Sequence, residues 1–465
     1  MRGLIPKGDG VKFWEDWMET MALERRTLGN GLRVVLCRND TVHRVCVMVN
    51  VGSGCEDERV PGTAHMLEHL MFRGTKRYPS FGRLSEAFER LGADFNAFTS
   101  REVTSFDVSL PSESLDGVLS LLGEVMMSPR LSGIASEREI IREEILPDYD
   151  GDRLISVDDL LVREFYGEAG HPIAGDPNEL DGITRGDVES FFRAHYVASN
   201  MVVVLTGAFG PTGDVLGALE RAFGGLASVP VCRNRRRMPQ EIREAALNAR
   251  SVRLFVPRVV VQDYDGASQS EVSMGFLFGG AGSGELDALE MLVRVLDDGM
   301  ASRLSRRLVE EEALVYDVEA FLSLSQGTSL LQVRASCRHR RVVRLVGSVY
   351  GILREIVRDG VSDEELDRVR RRVAWEHEEL LDGVSRLAQW LSTMVMQGGV
   401  CDVSGRSAEL CAVSAESVRD MARRCLEVQP HIVAVVGCPG PRTLDGLRDT
   451  VRASLGCELS CGGVS

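Results

Sequence analysis

The sequence predicts an α+β protein of two duplicated domains, each a mostly antiparallel sheet packed with helices, facing each other across a cleft. Three observations lead there. The chain has 465 residues, more than one hydrophobic core usually serves. Its apolar residues change repeatedly between period-two and helical spacing, so strands and helices both recur. Three segments return at a common offset of roughly 230 residues, about half the chain, which argues for duplication.

Taken in order, residues 32–37 and 44–51 show the period-two spacing of strands and are joined by Arg38-Asn39-Asp40. Residues 65–69 lie on a helix. Residues 80–91 form a second helix, with Leu84, Phe88 and Leu91 on one face and Gly92 after its end. Residues 95–99 and 103–110 are two further strands. Residues 112–127 and 132–146 are helices, the latter stopped by Pro147. Residues 187–195 are another helix, and 201–205 a strand of Val and Leu buried on both faces.

The repeats follow this frame. Met201-Val-Val-Val-Leu-Thr-Gly-Ala-Phe-Gly-Pro211 is similar to Ile432-Val-Ala-Val-Val-Gly-Cys-Pro-Gly-Pro441, and an amphipathic helix follows each, near 215–223 and 444–451. The strand ending at Leu110 and its helix match the strand ending at Cys337 and the helix 340–357. Residues 136–145 match 363–373. The expected division is an N-terminal extension over 1–23, a metal-bearing domain over 24–232, a basic linker over 233–250 and a second homologous domain over 251–465.

Composition narrows the function classes. A net charge of −15 argues against nucleic acid as a partner. It suits a basic or unfolded polypeptide, and it also simply favours solubility. No apolar stretch reaches the length of a membrane span, and residues 1–23 lack an apolar signal core. The eleven cysteines are scattered without a Cys-x-x-Cys pair. Cys37, Cys46 and Cys438 sit in apolar runs and read as buried small hydrophobes, while Cys457 and Cys461 fall in a terminal tail. This pattern predicts a reducing cytoplasm rather than a disulfide framework.

The chemistry centres on His65, Glu68 and His69. On a helix, spacings of three and four place all three side chains on one face. Two imidazoles one turn apart can bind one zinc ion, and the glutamate beside them can act as general base toward a water. The plain alternative is two surface histidines on an ordinary helix. With eight histidines in the chain, His-x-x-Glu-His is a rare accident. A catalytic zinc takes a third protein ligand. The helix of residues 137–145 is the obvious donor. Ile140, Ile141 and Ile145 are expected to bury it, and Glu137 and Glu144 share a face two turns apart. Its other glutamates pair with Arg138 and Arg142 in solvent.

His-x-x-Glu-His is the inverted zinc motif, and its surroundings resemble the pitrilysin-type (insulinase, M16) zinc metallopeptidases, in particular the mitochondrial-processing-peptidase-like bacterial branch. The resemblance rests on Leu28-Gly-Asn-Gly-Leu-Arg-Val-Val35, Val51-Gly-Ser-Gly-Cys-Glu56 and Gly62-Thr-Ala-His-Met-Leu-Glu-His-Leu-Met-Phe-Arg-Gly-Thr75. It continues through Asn96-Ala-Phe-Thr-Ser-Arg-Glu-Val-Thr104, the helix at Glu137, and His195-Tyr196. It covers residues 28–207 closely and the second half more weakly.

The resemblance implies a ligand set of His65, His69 and Glu144, with Glu143 the runner-up for the third place. It implies one Zn2+ per chain, Glu68 as the catalytic base and Glu137 as a supporting glutamate behind the ligands. It implies that extended peptide lies along the strand carrying Asn96, Ala97 and Phe98. In the second half, the family pattern supplies an arginine and a tyrosine to the reacting carbonyl. Here the tyrosine is Tyr316, the arginine position is Val309, and a turn glycine is Ala313. Arg306 and Arg307 lie close by, but on an α-helix they point well away from position 309. The implied activity is a zinc endopeptidase acting on extended or unfolded peptides, as a homodimer or as a heterodimer with a homologous subunit. The alternatives are a non-catalytic or partner-dependent subunit of the same fold and a hydrolase of small amides.

Overall fold

The structure is a computed structural model, described here for residues 21–231, 237–248, 255–280 and 282–456. The first half of the chain builds a six-stranded sheet. Its strands are β1 (Met21–Thr27), β2 (Arg33–Asn39), β3 (Arg44–Val51), β4 (Asp94–Thr99), β5 (Thr104–Pro111) and β6 (Met201–Gly207). The order is β1-β2-β6-β3-β5-β4. Only β2 and β6 run parallel, and the other pairs are antiparallel. The accompanying helices are α1 (Thr63–Met71), α2 (Phe81–Glu89), α3 (Leu115–Met127), α4 (Ile134–Ile145), α5 (Val157–Tyr166), α6 (Arg185–His195) and α7 (Thr212–Phe223).

The second half repeats the scheme. It comprises α8 (Gln240–Asn248), β7 (Arg258–Asp263), β8 (Ser270–Gly279), α9 (Ser283–Leu296), β9 (Val315–Ser325), β10 (Thr328–Cys337), α10 (Val342–Asp359) and α11 (Asp363–Glu379). It ends with α12 (Val384–Met396), α13 (Val403–Cys411), α14 (Ala415–Glu427), β11 (His431–Gly437) and α15 (Pro441–Leu455). The strand order β9-β10-β8-β11-β7 reads, in reverse, as the counterpart of β2-β6-β3-β5-β4. It contains one parallel pair, β11 with β7, at the matching place. The repetition in the sequence is therefore a repetition of topology, and the α+β class holds for both halves.

Each sheet is covered on two faces, and the covering explains the burial pattern. In the first, Val35, Cys37, Met48, Val202 and Val204 pack against Leu387, Ala388 and Leu391 of α12. Thr206 donates its hydroxyl to the Val384 carbonyl at 2.7 Å. The alternate residues Val34, Leu36, Val45, Val47 and Val203 are equally buried, so β6 is buried at every position. Helices α3 and α7 meet so closely at Gly123 that a Cβ there would lie 2.1 Å from the Ala222 carbonyl oxygen, which is why no larger residue fits. In the second sheet, Val261, Met274, Phe276 and Val433 face the cluster that includes α9, α10, α14 and α15. Val260, Leu277, Leu330 and Ile432 face α5 and α8.

These compact units are not continuous in sequence. One comprises residues 1–144, 173–235 and 376–404, and the other 145–172, 236–375 and 405–465. Helix α5, from the first half, covers the second sheet, and α12, from the second half, covers the first. The two stand at the same offset of roughly 230 residues as the other repeats, so the halves exchange equivalent helices.

Other local readings change as well. Within the expected linker, Gln240–Asn248 is a helix whose Ile242, Ala245 and Ala246 are buried. Their spacing of three and four makes an apolar stripe that the basic neighbours conceal. Residues 233–236, 249 and 250 of that stretch, and Cys457 and Cys461, lie outside the described residues. Strand β1 begins at Met21, inside the expected extension, and the rest of that extension also lies outside them. Cys37 and Cys46 are buried, but Cys438 is exposed. It follows the last residue of β11, where the chain has already left the sheet. Among the described residues no helix is long and apolar enough to cross a membrane.

Candidate metal centre

Helix α1 begins at Gly62, whose φ of 85° is left-handed and whose added Cβ would lie 2.6 Å from the Ala174 carbonyl oxygen. Glycine is required there on both counts. Glu58, itself buried, caps the helix by accepting from the Gly62 and Ala64 backbone N–H groups at 2.6 and 2.7 Å. A carboxylate at that end also suits the helix dipole. Ala64, Met66, Leu67 and Leu70 are fully buried, which fixes the rotation of α1 and turns residues 65, 68 and 69 together along one face.

Helix α4 presents the opposing carboxylates. Ile141 and Ile145 anchor it, and Arg138 donates to the Leu180 and Ile183 carbonyls at 2.9 and 3.1 Å. Ile140, expected to help bury this helix, is instead 47% exposed. It stands about 100° around the helix from Ile141, on the side of the exposed Ser136 and Glu143, and two buried isoleucines suffice.

The result is a compact donor group. Glu144 Oε1 lies 3.6 Å from His65 Nε2, and Glu144 Oε2 lies 3.4 Å from His69 Nε2. Ligand atoms of the three residues all fall within 4.8 Å of one another. Two atoms held at about 2.0–2.1 Å from a tetrahedral zinc ion stand about 3.4 Å apart, so the group fits that ion. Glu143, one residue before Glu144, is not part of the group. Burial, and then the neighbouring His69, push the His65 pKa from 6.5 down to about 4. Its imidazole is thus neutral near pH 7, the form a metal requires.

Glu137 stands behind the group. Its Oε2 lies 3.3 Å from His69 Nδ1, while its other oxygen pairs with the Arg73 guanidinium. Arg73 in turn rests over the Phe81 ring, 5.8 Å from its centroid. A carboxylate on the far nitrogen of a histidine fixes the tautomer and aims the near nitrogen. We expect Glu137→Gln to weaken zinc binding by roughly 10–100-fold, measured by chelator competition. Undiminished affinity in a folded variant would remove Glu137 from this role.

Glu68 is mostly buried beside the donor group. Burial pushes its carboxyl up and the Glu144 carboxylate adds to this, while the Thr99 hydroxyl and His69 pull it down. Thr99 Oγ1 donates to Glu68 Oε2 at 2.8 Å. Tyr196 lies fully buried near it, its phenol pushed far up by burial and then by the Glu68 carboxylate. His195 is part of a separate buried network, with Ser53 Oγ at 2.9 Å from its Nδ1 and Asn200 donating to Ser53 Oγ at 3.1 Å. That network ties the end of β3 to α6.

Asn96, Ala97 and Phe98 lie on β4, which pairs with β5 and forms the edge of the first sheet. Phe95 stacks on Phe72 at 4.5 Å, and Thr99 reaches Glu68. By strand alternation Ala97 shares their side, and the side chains of Asn96 and Phe98 are exposed. Sequence reasoning had passed over Glu58, Arg73 and Thr99. The signals were present: an acid just before a helix start, a cation four residues after a histidine, and a hydroxyl ending the edge strand.

Residues 33–162 match the family described as Insulinase (Peptidase family M16), and residues 182–373 match Peptidase M16 inactive domain. The chain belongs to the M16 peptidase family. It is similar to an uncharacterized zinc protease of Mycobacterium tuberculosis, with 28% identity over 94% of this chain and 97% of the relative. It is also similar to a probable mitochondrial-processing peptidase subunit beta of Arabidopsis thaliana, at 25% identity over 88% of this chain and 77% of that one. Among solved structures, a protease from Helicobacter pylori shares the fold, with a TM-score of 0.78 and 20% identity over 90% of this chain and 100% of that one.

The second unit carries the departures from the M16 pattern. Tyr316 is 97% exposed and sits where the register of β9 shifts between Val315 and Val318, so it is no packing residue of the sheet. Val309 packs against the core of that unit. Ala313, standing where the pattern has glycine, takes a left-handed φ of 45°, a strain on the order of 1–2 kcal/mol. Ser305–Glu311 forms a π-helix rather than the α-helix assumed from sequence. Within it, Arg307 donates to Glu311 and Glu355 at 3.0 Å each.

Proposed function

We propose that this protein is a zinc-dependent endopeptidase of extended or unfolded polypeptides. The observation that carries the reading is the donor group of His65, His69 and Glu144 with Glu68 beside it. Zinc, when bound, supplies Lewis acidity toward a peptide carbonyl and acidifies a water. Glu68 accepts the proton that a water loses on attack and can return it to the leaving amine. Glu137 and Arg73 hold His69 in its orientation. The free edge of β4 at Asn96–Phe98 holds the peptide backbone in extended form, which gives affinity with little demand on sequence. Tyr316 is the residue that the M16 resemblance assigns to the developing oxyanion, and in this chain it is exposed and not engaged in packing.

A second reading is favoured by Val309. An apolar residue packed into its own core cannot serve the oxyanion, so a homologous partner subunit, or a second copy of this chain, would complete that part. The Arabidopsis relative's name as a subunit supports the same idea. The described cysteines are free thiols, in keeping with a cytoplasmic setting. The test is turnover of unstructured polypeptides and of small amides by the purified protein, as isolated, after chelation, and after zinc is restored. The expected result is zinc-dependent polypeptide cleavage with amides untouched. Cleavage that needs a companion chain favours the second reading. A protein that binds no metal and cleaves nothing overturns both.

A further inference from the structure

We propose that Thr99 is a positioning residue that holds the general base Glu68, an inference resting on the peptidase reading above. Thr99 Oγ1 donates to Glu68 Oε2 at 2.8 Å, and among the described residues this is the one hydrogen bond the Glu68 carboxylate accepts. With Oε2 held, Oε1 is the oxygen left for proton transfer. A glutamate has three side-chain torsions and would otherwise sample several rotamers, whereas a β-branched threonine is stiff.

The hydroxyl is itself firmly placed. Thr99 is the last residue of β4 and pairs with Thr104 across the hairpin. The next residue closes the turn: Ser100 N donates to the Val103 carbonyl at 2.8 Å, and Ser100 Oγ to the same oxygen at 2.9 Å. The loop is then fastened to the segment before α1. Cys55 N donates to the Ser100 carbonyl at 3.1 Å and Glu56 N to the Arg101 carbonyl at 3.0 Å. Gly54 lies so near that a Cβ would come within 2.1 Å of the Ser100 carbonyl oxygen. The backbone around Thr99 is thus locked to the same stretch of chain that leads into α1, and the base is held from a rigid support. Thr99 directly continues the Asn96–Phe98 segment, so one strand both offers its edge to the peptide and fixes the base.

The experiment compares Thr99→Val, which keeps shape and branching but has no donor, with Thr99→Ser, which keeps the donor. Both are measured in the zinc-loaded full chain on an extended peptide, with Glu68→Gln as control. The expected result for Thr99→Val is a kcat lower by about 10–100-fold, part of the 10²–10⁴ that a positioned base supplies. KM, zinc content and melting temperature should stay at wild-type values. Thr99→Ser should recover most of the rate, and a crystal structure of Thr99→Val should show Glu68 turned from its position. Wild-type kcat in Thr99→Val overturns the inference alone. So does a loss shared by Thr99→Ser or explained by a lowered melting temperature, since either marks a structural role. An inactive wild type, or a Glu68→Gln variant as active as wild type, overturns the peptidase reading and this inference with it.

Discussion

Glu68→Gln is expected to abolish peptide cleavage while zinc stays bound. Glutamine has the same shape and its amide oxygen can still accept from Thr99, so the packing of α1 is undisturbed. None of the three donors in the metal group is altered. What disappears is the ability to take a proton, and a general base contributes roughly 10²–10⁴ in rate. The surroundings of Glu68 favour proton uptake, since burial and the Glu144 charge raise its carboxyl, while Thr99 and His69 oppose the rise. A base moved toward neutrality from the usual carboxylate range is a stronger proton acceptor. Single-turnover kinetics together with metal analysis check this. Undiminished turnover would assign the proton transfer elsewhere, and loss of the metal would make Glu68 a structural residue.

The second large effect is expected from Glu144→Gln set against Glu143→Gln. Glu144 lies two turns from Glu137 on the same face of α4, and its two oxygens face the two Nε2 atoms. On the proposed reading, removing its charge takes an anionic donor from the ion itself. Zinc affinity should fall by more than the roughly 10–100-fold that an outer partner's loss costs, and peptidase activity with it. Glu143 is rotated about 100° away on the helix and does not belong to the donor group, so its variant should bind zinc as wild type does. Calorimetric titration of both proteins decides the matter. Equal affinities, or loss in Glu143→Gln alone, would reassign the third ligand.

The donor group was readable in the sequence because its parts are rare residues at spacings set by helix geometry. His65, Glu68 and His69 need only a helix to share a face, and Glu144 needs only a second helix opposite. The duplication was readable because topology repeats with sequence order. The exchange of α5 and α12 was not. An apolar stripe such as Leu387-Leu391 says that a helix is buried, and says nothing about which sheet buries it. Ile140 and Cys438 show the same limit from the other side, since an apolar residue close to a core can still face solvent. Thr99 and Arg73 were missed because their roles depend on side chains brought together from distant segments. The π-helix at Ser305–Glu311 depends on an i→i+5 hydrogen-bond pattern that no spacing of side chains announces.

The exchanged helices bear on how the chain comes to be folded in a cell. The first sheet is complete in strands once β6 has been made, yet its cover, α12, follows roughly 180 residues later, on the order of ten to thirty seconds of translation. Through that interval Val35, Cys37, Met48, Val202 and Val204 lack their lid, while α5 waits with its apolar side for a sheet not yet synthesised. A nascent chain in that state offers an adhesive surface to chaperones and to its own copies. For the same reason a gene cut at the midpoint is expected to encode two fragments, each parted from the helix that covers its own sheet.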